Sequence, residues 1–183
     1  MRAEISMKSG MVDLFGTYAH EIVFLHVFSA FVWVGGMIAI RLAVHPNLQL
    51  IEDPKVRLGR TLAITGRFFN IVMPFILLII LTAVIMAVGL GFRAAAVSAS
   101  GNILSETAYA TYQIVHVKEV IWMVMTLNFT WMYFKRRKAQ KLFNAGELPA
   151  AKETVAIIPK LLLPINIVLG IAAIWLGITL RGL

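Results

Sequence analysis

A chain of 183 residues that is 60% hydrophobic, with a mean hydropathy of +0.83, has too little polar surface to cover a soluble domain. Its net charge of +8 comes largely from basic residues between apolar stretches, where they orient a membrane chain and face anionic lipid, so the charge does not point to nucleic acid. With no cysteine, disulfides, thiolate metal sites, iron–sulfur clusters and covalently attached haem are excluded, and any cofactor must rely on His, Met or oxygen ligands.

Four apolar stretches, each close to the roughly 20 residues that cross a hydrocarbon core, account for most of the length. They predict an all-α integral membrane four-helix bundle forming a single domain over 1–183, with the lipid bilayer as its solvent. Residues 1–17 mix Arg2, Glu4, Lys8 and Asp13 with apolar residues and lack the pattern of a secretory signal, so the first span is expected to remain in the protein. Span one covers 18–44 and ends at His45-Pro46, where proline disfavours helix for the residue before it. Span two covers 65–90, with Pro74 inside it as the expected site of a kink. The small and polar segment 91–108 reads as a loop. Span three covers 109–134 and stops at Lys135-Arg136-Arg137-Lys138. A short amphipathic or irregular connection around Gly146 and Pro149 leads to span four over 156–180, with Pro159, Pro164 and Asn166 in its first half.

Lys and Arg in the connections set the orientation. Arg41, Lys55, Arg57, Arg60 and Arg67 flank the first connection, and Lys135, Arg136, Arg137, Lys138, Lys141, Lys152 and Lys160 the third. Against these stand Arg2, Lys8, Arg93 and Arg181 on the opposite side, and Lys118 within span three. Both termini are therefore expected to face outward, with the basic connections in the cytoplasm.

His26 precedes the middle of span one, and His116 the middle of span three, by similar numbers of residues. At about 1.5 Å of rise per residue both imidazoles lie about 8 Å to the outer side of the midplane. First and third helices face each other across an up-down bundle, so the two could supply both axial ligands of a b-type haem. A proton or metal pathway and plain interhelical hydrogen bonding are the alternatives. His45, nineteen residues beyond His26, is about 28 Å away along the axis and cannot share an iron with it. It lies at the cytoplasmic interface, near a headgroup, a haem propionate or a second site, whereas His20 reads as a solvated histidine at a helix end.

Ala30, Trp33 and Met37 share the face of His26, with Gly35-Gly36 beside them; Trp33 and Gly36 can line a pocket, or equally serve helix packing. On span three, Lys118 either pairs with a carboxylate of a bound tetrapyrrole or snorkels outward, and Glu119, on the His116 side, is expected to orient it only through another group. Arg67, Asn70 and Pro74 share one face of span two, where Arg67 either clamps an anionic group or anchors at lipid headgroups. The nine methionines, with Met123-Val124-Met125 among them, invite a copper reading, but positions i and i+2 point apart on a helix and core filling explains them better.

The segment Leu25-His26-Val27-Phe28-Ser29-Ala30-Phe31-Val32-Trp33-Val34-Gly35-Gly36 resembles the first helix of a bacterial membrane superfamily that joins the CopD copper-resistance proteins and the HemJ-type protoporphyrinogen oxidases. Arg67 leading to Met73-Pro74, His116-Val117-Lys118, and Pro159-Lys160-Leu161-Leu162-Leu163-Pro164 add to the likeness, which covers most of residues 20–180. It implies a haem-binding four-helix protein in which His26, His116 and Lys118 are the positions to test. The N-terminal extension, the outer loop over 91–108 and the basic connection depart from the HemJ pattern, and the W-x-G-G is closer to CopD. The functional expectation is a haem b redox protein passing electrons to a quinone or a partner protein, with His26 and His116 as ligands and Lys118 or Arg67 near the propionates. Its enzymatic variant is oxidation of a tetrapyrrole, protoporphyrinogen IX, and the alternatives are a CopD-like copper permease and a structural subunit of a larger assembly; a homo-oligomer is compatible with each.

Overall fold

The computed structural model describes residues 2–180, so Arg181 lies outside the described residues. The chain is all-α: α1 (Arg2–Ala39), a π-helical turn (Ile40–Val44), α2 (His45–Gln49), α3 (Pro54–Gly89), α4 (Phe92–Ala96), α5 (Glu106–Asn144), α6 (Leu148–Ile157), a second π-helical turn (Ile158–Leu162) and α7 (Leu163–Thr179). Three helical stretches, Ser6–Gln49, Pro54–Ala96 and Leu148–Thr179, are long and apolar enough to cross a membrane. The expected third span, 109–134, lies within the 39-residue α5, whose apolar run is interrupted by Lys118, Glu119 and Asn128.

Helix continues well past each apolar stretch. Tyr18, where the first apolar stretch begins, departs from helical geometry (φ −121°, ψ 34°) and kinks α1, so the residues before it form a helix of their own direction. Asp53 caps α3 by accepting from the backbone N–H of Lys55 and Val56 at 2.7 and 3.1 Å, and Pro54 supplies a preset first turn. The helix therefore starts eleven residues before 65, taking the basic residues of the first connection onto it, and it runs on through Pro74. Likewise α5 passes through Lys135-Arg136-Arg137-Lys138, because lysine and arginine are good helix formers that end an apolar stretch without ending the helix. It stops at Gly146, whose φ of +82° suits a residue without a side chain. The polar segment after α3 holds the short α4 and an isolated antiparallel bridge between Val97 and Ile103.

Both π-helical turns adjoin prolines. Pro46, just beyond the first, and Pro159 and Pro164, in and beyond the second, cannot donate to the preceding turn, and the wider turn accommodates the carbonyls left over.

One core joins the long helices. Trp33, Val34 and Met37 of α1, Leu62, Phe69, Val72 and Ile76 of α3, and Met125, Phe129 and Met132 of α5 are buried together with Val155, Ile158 and Leu162. Phe69 and Trp33 meet Phe129 edge to face, with ring centroids 5.1 and 6.0 Å away. The core is lopsided along its length. On α5 the buried residues begin only at Met125, and on α7 they end at Gly170, so the half holding His26 is filled mainly by the α1–α3 pair.

Two polar contacts fasten the other half. Arg136 of α5 donates through Nε and Nη2 to the Leu62 carbonyl of α3 at 3.0 and 2.8 Å, and Nη2 also reaches Gln140 at 3.0 Å. Gly66 makes this possible, since a Cβ there would run into the guanidinium. Burial draws the Arg136 pKa below the usual arginine range, an effect that Tyr133 opposes and Arg137 reinforces, and the group stays charged at neutral pH. Asn128 of α5 donates to the Leu162 carbonyl and to Asn166, both at 2.8 Å, while Asn166 donates to the Met125 carbonyl at 3.1 Å.

Close approach of α7 to α1 and α5 requires Gly170: a Cβ there would sit 2.6 Å from Val34 Cγ2, on a stiff, buried side chain. At Gly177 the nearest atom is the mobile Lys118 Nζ, at 3.1 Å. Gly170→Ala is therefore expected to destabilise the protein by about 1–3 kcal/mol through overpacking, and Gly177→Ala by clearly less. Thermal unfolding of the two variants in detergent measures the difference, and equal midpoints would contradict this packing.

Candidate functional site

His26 projects from α1 toward α3, where its Nδ1 lies 2.9 Å from Thr82 Oγ1. Thr82 is 3% exposed and stands alone as a polar residue in the apolar run from Phe75 to Gly89. Its single hydroxyl hydrogen is already directed at the carbonyls of Leu78 and Ile79, 2.6 and 3.1 Å away. Thr82 Oγ1 must then accept from His26, which places the imidazole proton on Nδ1 and leaves Nε2 with a bare lone pair. That is the tautomer of a histidine whose Nε2 binds a metal or takes up a proton.

His116 reaches the same tautomer by another route. Its Nδ1 is 2.9 Å from Glu119 Oε2, one turn along the same helix, and a carboxylate only accepts. Glu119 thus orients His116 directly, where the sequence suggested an intermediary. Both side chains are more than half exposed, at 52% and 57%, and Tyr112 flanks the imidazole at 4.4 Å. The two histidines expected to face each other are each engaged elsewhere, His26 in the α1–α3 contact and His116 on its own helix.

The interior charged group of α5 is Lys118. It is half-buried, and its ammonium rests against Gly177 of α7. Among the described residues no carboxylate lies within ion-pair distance of it.

Trp33 and Gly36 are taken up by packing. Trp33 is 1% exposed against Phe129, and a Cβ at Gly36 would lie 2.5 Å from Phe68. Arg67, Asn70 and Pro74 form an exposed stripe on α3, and none of them meets His26 in a hydrogen bond. His20 is exposed, and His45 is half-buried beside the first π-helical turn. Met37, Met125 and Met132 fill the core while Met123 is exposed, so Met123 and Met125 point apart as their spacing requires. Among the described residues no group of three or more His, Cys, Asp or Glu side chains comes together to hold a metal ion.

For a haem iron the donor chemistry fits at His26, where Nε2 is held available by a hydrogen bond on the opposite nitrogen. Ser29 and Thr82, which complete its surroundings, carried little sequence signal beyond being polar within apolar helices.

No family model, curated protein or solved structure matches the chain.

Thr82→Val keeps the shape of the side chain and removes the acceptor, at a cost of about 1 kcal/mol. The expected consequence is loss of the fixed tautomer: ¹⁵N spectra of the histidine-labelled protein should show one Nδ1–H form for His26 and a mixture in the variant. A mixture in the unaltered protein would refute the assignment.

Proposed function

We propose that the chain is a four-span protein of a bacterial inner membrane, with both termini periplasmic, which holds a b-type haem through His26 and passes electrons to a quinone or a partner protein. Twelve of the seventeen basic residues in the two connections on one side support the orientation. The fourth span is α5, which crosses at about 109–134 despite Lys118 and Glu119. It tolerates Lys118 because the ammonium turns inward to α7, and Glu119 because it is tied to His116.

The observation that carries the reading is the Thr82–His26 hydrogen bond with Thr82 donating elsewhere, which leaves Nε2 as the unused ligand atom. Bound there, haem supplies reversible one-electron chemistry. The protein's own residues do the rest. Thr82 holds the ring and raises its basicity as a ligand. Lys118, turned inward against α7, offers an ammonium suited to the carboxylates of a tetrapyrrole. His116, oriented by Glu119, presents a second Nε2 with the same availability.

The inward ammonium of Lys118 also favours the enzymatic variant, a tetrapyrrole carboxylate bound as substrate for HemJ-like oxidation. A copper path through methionines is less well supported, since Met37, Met125 and Met132 are consumed by packing.

The purified protein in detergent, reduced with dithionite, should show a b-type α band. His26→Ala should abolish the band, His116→Ala should alter it if both imidazoles ligate, and Thr82→Val should keep it while shifting the midpoint potential. A folded protein with no such band, or a His26→Ala variant with an unchanged one, would overturn the proposal. Rescue of a strain lacking protoporphyrinogen oxidase would move the reading to the enzymatic variant.

A further inference from the structure

One side of α5 carries a polar stripe on the surface of the molecule. Gln113, His116 and Glu119 follow one another at three-residue steps, all three are exposed, and the side chains of His116 and Glu119 are more than half exposed. The same face continues through Val120, Met123, Leu127 and Phe134, which are exposed and apolar. The core residues of this helix are a separate set, Met125, Phe129 and Met132. At 3.6 residues per turn the centre of the polar stripe lies about 170° around the helix from the centre of that set. The stripe is therefore on the side of α5 opposite its core.

This inference rests on the reading given above, in which α5 crosses the membrane at about 109–134. On that reading Glu119 is about 4 Å, and His116 about 8 Å, from the middle of the span, well inside a hydrocarbon core about 30 Å thick. Ionisable side chains in a span face protein or a water-filled cavity, and a carboxylate turned to acyl chains near the midplane is disfavoured by about a hundredfold. The hydrogen bond between His116 and Glu119 lowers that cost without covering the pair.

The stripe is complementary to itself. Two copies of the chain in one membrane have the same orientation, so two α5 helices side by side run in parallel and bring equal positions together. Gln113 then meets its own counterpart, and a primary amide, with two donor hydrogens and an acceptor oxygen, pairs with another of its kind. Its second N–H is free to donate across the contact, one turn along, to the bare Nε2 of His116. Below these groups Val120 and Met123 supply the apolar part of the contact. An unrelated chain would need a matching stripe at the same depth, whereas a second copy already carries one.

We propose that the face of α5 from Gln113 to Met123 is a contact surface for a second copy of this chain, in which each polar stripe covers the other within the membrane. The contact is independent of haem at His26.

The chain has no cysteine, so single-cysteine variants report single positions. Met123→Cys, 55% exposed on the proposed contact face, is expected to give a disulfide-linked pair on mild oxidation of native membranes, and Leu77→Cys, 62% exposed on α3, is not. In detergent micelles, sedimentation equilibrium should show a dimer whose dissociation constant rises about three- to tenfold in Gln113→Leu. Equal cross-linking at the two positions, a monomer at every concentration, or a constant unchanged by Gln113→Leu would overturn the proposal. The span is checked separately with Ser100→Cys and Asn144→Cys, at exposed positions before and after α5, which an impermeant maleimide should reach from opposite sides of the membrane. Labelling of both from one side would overturn the four-span reading and this proposal with it, whereas labelling from opposite sides with no linked pair at Met123→Cys overturns the proposal alone.

Discussion

The hydrogen bond between Thr82 and His26 is the contact on which the reading of this molecule turns. An imidazole set among apolar helices has two nitrogens to satisfy, and an unsatisfied one is costly. Thr82 settles Nδ1, and because its own hydrogen goes to carbonyls of α3, it also settles which nitrogen holds the proton. What remains is a single lone pair on Nε2, in the half of the molecule where α5 and α7 have no fully buried residue.

The same lopsided packing explains the division of labour along the helices. On the Arg136 side, aromatic rings interlock, Arg136 clasps the Leu62 carbonyl, and the Asn128–Asn166 pair ties α5 to α7. These contacts make a rigid base. Beyond Met125 toward its N-terminus, α5 carries Trp122, Lys118 and His116, residues with polar ends and apolar bodies. Such side chains can line an interior that is neither fully dry nor fully open.

How much of this is legible in the sequence follows from what each signal encodes. The apolar stretches stand out because a length of roughly 20 residues without charge is a strong pattern. Rotation about the axis does not, because a helix with core on one side and lipid on the other is apolar all round and has little periodicity to read. The pairing of His26 with Thr82, the outward turn of His116 and the exposed stripe of Arg67 all depend on that rotation. Helix ends were obscured for a different reason: hydropathy marks where the apolar run ends, whereas Asp53, Gly146 and the intrinsic preference of Lys and Arg decide where the helix does. Arg136 was hidden in a basic run in which only its register opposite Gly66 distinguishes it.

Two imidazoles held in the same tautomer by different partners bear on the choice among functions. Thr82 is neutral and buried, and it tunes His26 without adding charge to the interior. Glu119 is exposed, and its carboxylate accepts from His116 on the same helix. The two histidines therefore sit in different settings: His26 half-buried against a neutral partner, and His116 exposed beside a carboxylate. A copper path would instead need soft ligands in succession along one route, and the buried methionines are dispersed through the packed core. Redox chemistry at His26 is accordingly the reading that makes use of the most residues with the fewest left unexplained.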